Sequence, residues 1–317
     1  MNKNSKIYLA GHTGLVGSAI LGELARRNYC NIITKTHREL DLTNQEEVNR
    51  FFKTKKPEYV FLAAAKVGGI NANNTYKADF IYINTSIALN VIHSAYKYGV
   101  KKLLNMGSSC IYPKYAEQPI KEESLLTGKL EPTNEPYAIA KITAIKMCRY
   151  YNEQYGTNFI STMPTNLYGP NDNFDLVTSH VLPALLRKIH EAKINKTPVT
   201  LWGDGTSRRE FLYVEDLANA AVFLMEKYSY LDIGEFINIG TGLDVTIKEL
   251  AEIIAGIVEY NVSINWDRDM PNGTPRKVLD VRKINGFGWE PKTGLTEGIK
   301  KTYDWYLDDR KDGRKPL

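Results

Sequence analysis

Cysteine is scarce in this chain: Cys30, Cys110 and Cys148 are its only three among 317 residues. Their spacing fits no metal-ligand pattern and an odd number cannot all pair, so neither a zinc site nor a disulfide scaffold is expected. A reduced, cytoplasmic setting suits that composition. Long apolar runs are missing too. Nothing approaches the roughly 20 residues that cross a bilayer, which excludes a membrane-spanning helix. The polar start, Met1 to Lys6, leads straight into a strand and is not expected to act as a signal peptide. Nor does one sign of charge dominate. Lys and Arg number 41 against 36 Asp and Glu, a formal +5, and the cations are scattered. That balance argues against a nucleic-acid surface and leaves small anionic ligands as the natural partners. Internal repeats and low-complexity stretches are absent.

What remains is an ordinary globular composition, 43% hydrophobic and 24% charged, in a chain long enough for a sizeable core. Lys6–Ala10 is a short apolar run that stops at a glycine turn, and Leu15–Asn28 follows with helical spacing of Val16, Ile20 and Leu24. Asn31–Thr34 reads as a strand, Glu46–Thr54 as a helix and Tyr59–Ala64 as a buried strand. A helix over Asp79–Tyr98, a strand over Lys102–Met106, a helix over Pro136–Tyr155 and a strand over Asn158–Pro164 continue the alternation. Strand–helix alternation with right-handed crossovers predicts an α/β fold with a doubly wound parallel sheet. Beyond Thr165 the loops grow rich in Gly, Pro, Asn and Asp, the texture of a smaller substrate domain. Phe211–Tyr228 reads as a helix and Glu235–Ile239 as a strand, both returning to the first domain. The expected division is 1–165 with about 211–240 for a dinucleotide, and 166–210 with 241–317 for a substrate.

The turn Gly11-His12-Thr13-Gly14-Leu15-Val16-Gly17 joins the first strand to the first helix. There, glycines let backbone N–H groups approach a pyrophosphate at the positive end of the helix. Glycine also serves plain tight turns, but the strand–turn–helix context favours a dinucleotide. No carboxylate closes the second strand, where an NAD site usually places one. Thr34-Lys35-Thr36-His37-Arg38 is basic instead, which suits the 2′-phosphate of NADP; the alternative is a solvated loop. Tyr137 and Lys141 stand at i and i+4, on one helical face. A nearby ammonium is expected to lower the phenol pKa and make Tyr137 a proton donor to a carbonyl oxygen. Alone, such a pair is usually a surface feature. With Ser108 at a strand end and the glycine turn upstream, the order is far more specific.

That order resembles the extended short-chain dehydrogenase/reductase family. Longer strings resemble its branch that epimerises and reduces GDP-4-keto-6-deoxy-D-mannose with NADPH: Ala63 to Ile70, Asn73 to Tyr76, Gly107 to Lys114, Glu131 to Ala138, Met163 to Pro170 and Gly273 to Lys277. The resemblance implies that Met106, Gly107, Ser108, Ser109, Lys141, Pro164, Thr165, Asn166, Leu167 and His180 also face the cofactor. It implies substrate contacts from Lys188, Trp202, Arg209, Asn272 and Lys277, and a homodimer through helices of the first domain. It further implies that Cys110 and His180 form the acid/base pair for inversion at carbons 3 and 5. Spacing alone favours the plainer readings of a small buried hydrophobe and a helix-start residue. A 4,6-dehydratase is unlike this chain, since Ser109-Cys110 replaces the acidic pair it needs. A 4-epimerase, another ketoreductase, and a non-catalytic NADP sensor stay as alternatives, though a sensor would typically have lost Tyr137 or Lys141.

Overall fold

Strands buried along their whole length define the frame of the computed structural model, which describes residues 1–261, 263–270 and 273–311. The chain opens with β1 (Ile7–Ala10), α1 (Leu15–Arg26), β2 (Ile32–Lys35), α2 (Gln45–Lys55) and β3 (Tyr59–Leu62). It continues through α3 (Ile70–Thr75), α4 (Lys77–Lys97), β4 (Lys102–Met106), α5 (Glu135–Tyr155) and β5 (Phe159–Pro164). Every residue of β1, β4 and β5 is buried, as expected of strands covered on both faces. Lys102 at the head of β4 is tolerated because its ammonium donates to the carbonyls of Leu224, Met225 and Tyr228.

The second half contributes β6 (Asn166–Tyr168), α6 (Val181–Asn195), β7 (Val199–Trp202), β8 (Arg208–Tyr213), α7 (Val214–Lys227), α8 (Tyr230–Ile233) and β9 (Ile237–Ile239). Then come β10 (Asp244–Thr246), α9 (Ile247–Val258), β11 (Ile264–Asp267), β12 (Arg276–Lys277), α10 (Arg282–Gly286) and α11 (Leu295–Lys311). The main sheet runs β2-β1-β3-β4-β5-β9 with every pairing parallel. One core lies under α1 and α7, the other under α2, α4 and α5. The doubly wound parallel sheet expected from the sequence is therefore present. A second sheet orders β10-β8-β12, with β6 also on β8, and β11 pairs with β7. Among the described residues no helix is long and apolar enough to cross a membrane.

Two readings need correction. Phe211–Tyr213 is strand, not helix: these residues pair in parallel with Asn166–Tyr168, and the helix begins only at Val214. Aromatic Phe211 and Tyr213 fit a pleated, buried surface better than a helix start. The stretch before α4 holds the unexpected α3, whose weak helix formers are fixed by Asn73 donating to the carbonyls of Gly68 and Gly69. Cys148 is buried in α5, whereas Cys30 lies exposed in the loop before β2.

Glu210 ties the sheets together. Fully buried in β8, its carboxylate accepts from the backbone N–H groups of Thr241, Gly242 and Leu279. Glu210→Ala would strand these donors, and removing one partner of a buried charged network typically costs about 3–5 kcal/mol. The midpoint of urea unfolding is expected to fall accordingly, with little change in its slope.

Candidate active site

The order of strands reverses between β1 and β3, so a crevice opens beyond their carboxyl ends, where ligands bind in open α/β sheets. The glycine turn lies there. A Cβ on Gly17 would come within 1.9 Å of the Gly11 carbonyl oxygen, so only glycine lets the turn fold onto the first turn of α1. Gly14 caps α1 without a side-chain hydrogen bond, which leaves backbone donors for an anion. Close by, Nδ1 of His12 is buried with no hydrogen-bond partner. These features, with Thr13, Leu15 and Val16 on the same turn, fit the diphosphate of a dinucleotide. At the end of β2, Lys35 pairs with Glu39 at 2.9 Å, while His37 and Arg38 are exposed. The basic cluster thus includes one internally neutralised lysine, and His37 stands 3.8 Å from Asp41, which leaves the Arg38 guanidinium the most exposed cation of the turn.

Pro136 sits in the first turn of α5, where its missing N–H costs nothing, and Tyr137 follows at once. One turn on, Lys141 donates to the Met106 carbonyl at the end of β4 at 2.7 Å, its ammonium 5.6 Å from the centre of the Tyr137 ring. Phe80 of α4 meets that ring edge to face at 6.1 Å. Ser108 caps the short 3-10 turn Ser109–Ile111, its hydroxyl accepting from the Cys110 N–H at 3.4 Å. The strand end thus delivers Ser108 and Cys110 to the same crevice as Tyr137.

The electrostatics of the cluster differ from the simple expectation. Burial raises the Tyr137 phenol above its usual pKa, and the nearby Cys110 thiolate adds to that. Burial pulls Lys141 down to about 8, opposed by Cys110. The lowering of Tyr137 expected from its lysine neighbour is thus absent in the chain alone, because both groups are desolvated and the ammonium is turned to a carbonyl. Burial also pushes the Cys110 thiol up, against the pull of the Ser108 hydroxyl and the ammonium groups of Lys277 and Lys141. His180, which caps α6, keeps part of its surface in solvent, yet the protein packed around its ring desolvates it, and that desolvation and then the Lys277 charge pull its pKa down to about 4. Cys110 thus lies within electrostatic reach of Tyr137, Lys141 and Lys277, and Lys277 within reach of His180.

His180 arrives there through a clasp with no prior expectation attached to it. The Gly69 N–H donates to the Thr178 carbonyl at 2.7 Å, and a Cβ on Gly69 would stand 2.2 Å from the Ser179 oxygen. The adjacent glycines of Ala63 to Ile70 were the visible signal. Thr165 and Asn166 turn their side chains to the Glu210 carbonyl, and Leu167 packs on the core, so these and Pro164 shape the crevice floor. Gly107 and Ser109 are buried in the turn around Ser108. In the second sheet Lys277 lies in register with Arg209, a pair of cations on neighbouring strands. Burial lowers Arg209 to about 10, opposed by Glu131. Lys188 donates to the Thr200 carbonyl at 3.1 Å, two residues before the exposed Trp202. Asn272 lies outside the described residues. No group of three or more His, Cys, Asp or Glu among the described residues could hold a metal.

Comparison with known proteins agrees with this architecture. Residues 7–240 match the model of the NAD dependent epimerase/dehydratase family. GDP-L-fucose synthase 1 of Arabidopsis thaliana is 58% identical, over 96% of this chain and 94% of that protein. GDP-L-fucose synthase of Escherichia coli is 50% identical, over 96% of this chain and 97% of its own. The crystal structure of a GDP-L-fucose synthetase from Naegleria fowleri bound to NADP superposes with a TM-score of 0.90 at 28% identity, covering 99% and 98% of the two chains. A glycine turn at the sheet's reversal point, a Tyr-Lys face beside it and a family match across most of the length lead to one conclusion: the chain belongs to the NAD dependent epimerase/dehydratase family.

Proposed function

We propose that this chain inverts carbons 3 and 5 of GDP-4-keto-6-deoxy-D-mannose and reduces carbon 4, using NADPH, to give GDP-L-fucose. The observation that carries this reading is the convergence of Ser108, Cys110, Tyr137, Lys141 and His180 in one cleft beside the glycine turn. Likeness to GDP-L-fucose synthases at 50–58% identity over nearly the whole chain supports it. The absence of a carboxylate after Ser108 still counts against a dehydratase.

A 4-keto group acidifies the hydrogens on carbons 3 and 5. Cys110 and His180 are assigned the removal and return of those protons on opposite faces of the sugar. Ser108 and Tyr137 donate hydrogen bonds to the oxygen on carbon 4, where enolate charge collects. When bound, NADPH supplies hydride to carbon 4. Tyr137 then gives its proton to the oxygen; the raised phenol pKa keeps that proton in place until it is needed. Lys141 orients the cofactor side of the cleft, Arg38 and His37 meet the 2′-phosphate, and Arg209, Lys277 and Lys188 meet the GDP diphosphate with Trp202 against the base or ribose.

Three wider readings accompany the chemistry. Residues 1–165 with about 211–240 are read as the dinucleotide unit, and 166–210 with 241–317 as the sugar-nucleotide unit; β9 in the main sheet and α7 against α1 support the first, whereas Phe211–Tyr213 belong to the second sheet, and Phe211 and Tyr213 to its core. A homodimer through α4 and α5 is supported by exposed Tyr82, Leu89, Ile139 and Tyr150 on those helices. A cytoplasmic location suits a working thiol, which must stay reduced.

Mixing protein, NADPH and the keto sugar should deplete the absorbance of reduced nicotinamide, with product inverted at both carbons by NMR; depletion without inversion would demote the enzyme to a plain ketoreductase. Tyr137→Phe should cut reduction by about 10²–10⁴-fold while solvent deuterium still enters carbons 3 and 5, and Cys110→Ser or His180→Gln should do the reverse. Arg38→Ala should raise the KM for NADPH about tenfold or more and leave that for NADH nearly unchanged, since a lost charge-assisted contact is worth about 1.5–3 kcal/mol.

A further inference from the structure

Inversion leaves the proton donor one proton short and the acceptor one over, so each must exchange with solvent before the next turn. His180 is exposed and does so directly. Cys110 is only 8% exposed, sealed in its 3-10 turn. Behind it lies a cavity of about 20 Å³ lined by Cys110, Lys114, Glu131, Asn134 and Lys277 among others. One water needs about 10–15 Å³ of such space and two to four polar partners. The partners are present. Oδ1 of Asn134 is buried with no hydrogen bond, and Asn134 makes no side-chain cap for α5. The Glu131 carboxylate pairs with Lys114 at 2.8 Å, their side chains 15% and 26% exposed, so this end of the cavity reaches solvent.

We propose that this cavity is a proton relay, in which one water held by Asn134 carries protons between the Cys110 thiol and the Glu131 carboxylate. When the thiol has given its proton to carbon, the Glu131 carboxylate takes a proton from solvent and passes it to the water as the water gives one to the thiolate, which restores thiol, water and carboxylate. When the thiolate has taken a proton from carbon, the same steps run backwards. No redox change is involved. Glu131 touches neither sugar nor cofactor in this scheme and acts through Cys110. The matched string Glu131 to Ala138 contains both relay residues, although sequence alone assigned them nothing.

The inference rests on the epimerase reading, and the test separates the two. Entry of deuterium into carbons 3 and 5 of the keto sugar is measured by NMR, and NADP reduction by GDP-L-fucose is followed separately, since that reverse step needs no inversion. Wild-type protein that admits no deuterium at carbons 3 and 5 would overturn the epimerase reading itself, whether or not it reduces NADP. With both present, Glu131→Gln should slow deuterium entry at least about tenfold and leave NADP reduction within about twofold. Added formate should restore deuterium entry to Glu131→Ala, and Lys114→Met, which breaks the ion pair but keeps the carboxylate, should behave like wild type. Unchanged deuterium entry in Glu131→Gln overturns the relay. So does an equal loss in Lys114→Met with no rescue by formate, which would reduce Glu131 to a structural partner of Lys114.

Discussion

Glu210 occupies the point at which β8 of the second sheet passes the end of β9 in the main sheet. Its carboxylate collects three backbone N–H groups from the segments after β9 and β12, while its own carbonyl receives Thr165 and Asn166 from the β5–β6 junction. A Cβ on Gly240 would lie 2.1 Å from one of its oxygens, so the fit leaves no slack. Burial raises the pKa of this carboxyl and the three donors oppose that rise. Neighbouring strand positions then fix Arg209 and, by register, Lys277. The floor of the cleft and its cationic wall thus share one anchor.

The cleft gathers three cations, Lys141 buried and Arg209 and Lys277 half-buried. Lys141 and Lys277 are each pulled down to about 8 and Arg209 to about 10, in every case first by burial. Cations desolvated in this way are held at a cost that an anionic ligand offsets. A nicotinamide dinucleotide and a sugar nucleotide both bring phosphates, and a thiolate or enolate would bring more negative charge.

Much of the main sheet was legible because its strands are unbroken apolar runs spaced by long helices. The failures have identifiable causes. Phe211–Tyr213 flows into the apolar residues of α7 without a polar break, so periodicity merged a strand with a helix; only pairing with β6 separates them. The α3 sequence Ile70-Asn71-Ala72-Asn73-Asn74-Thr75 has low helix propensity and is held by tertiary hydrogen bonds. In the site, the Tyr137–Lys141 face was readable from its i, i+4 spacing, whereas the direction of the phenol shift was not, because burial and the Met106 carbonyl lie outside any local pattern. The meeting of Lys114 with Glu131 closes a loop of irregular structure, and no periodicity announces such a contact.

The clasp between Gly69 and the segment ahead of α6 limits how this protein can vary. With the Ser179 oxygen where any methyl group would go, position 69 is closed to substitution, and the histidine's approach is locked with it. Around that fixed knot stand Val67, Ile70, Leu176 and Val177, all solvent-facing large apolar side chains. Variation is therefore tolerated at this rim, where replacements cost little stability and leave the clasp beneath untouched.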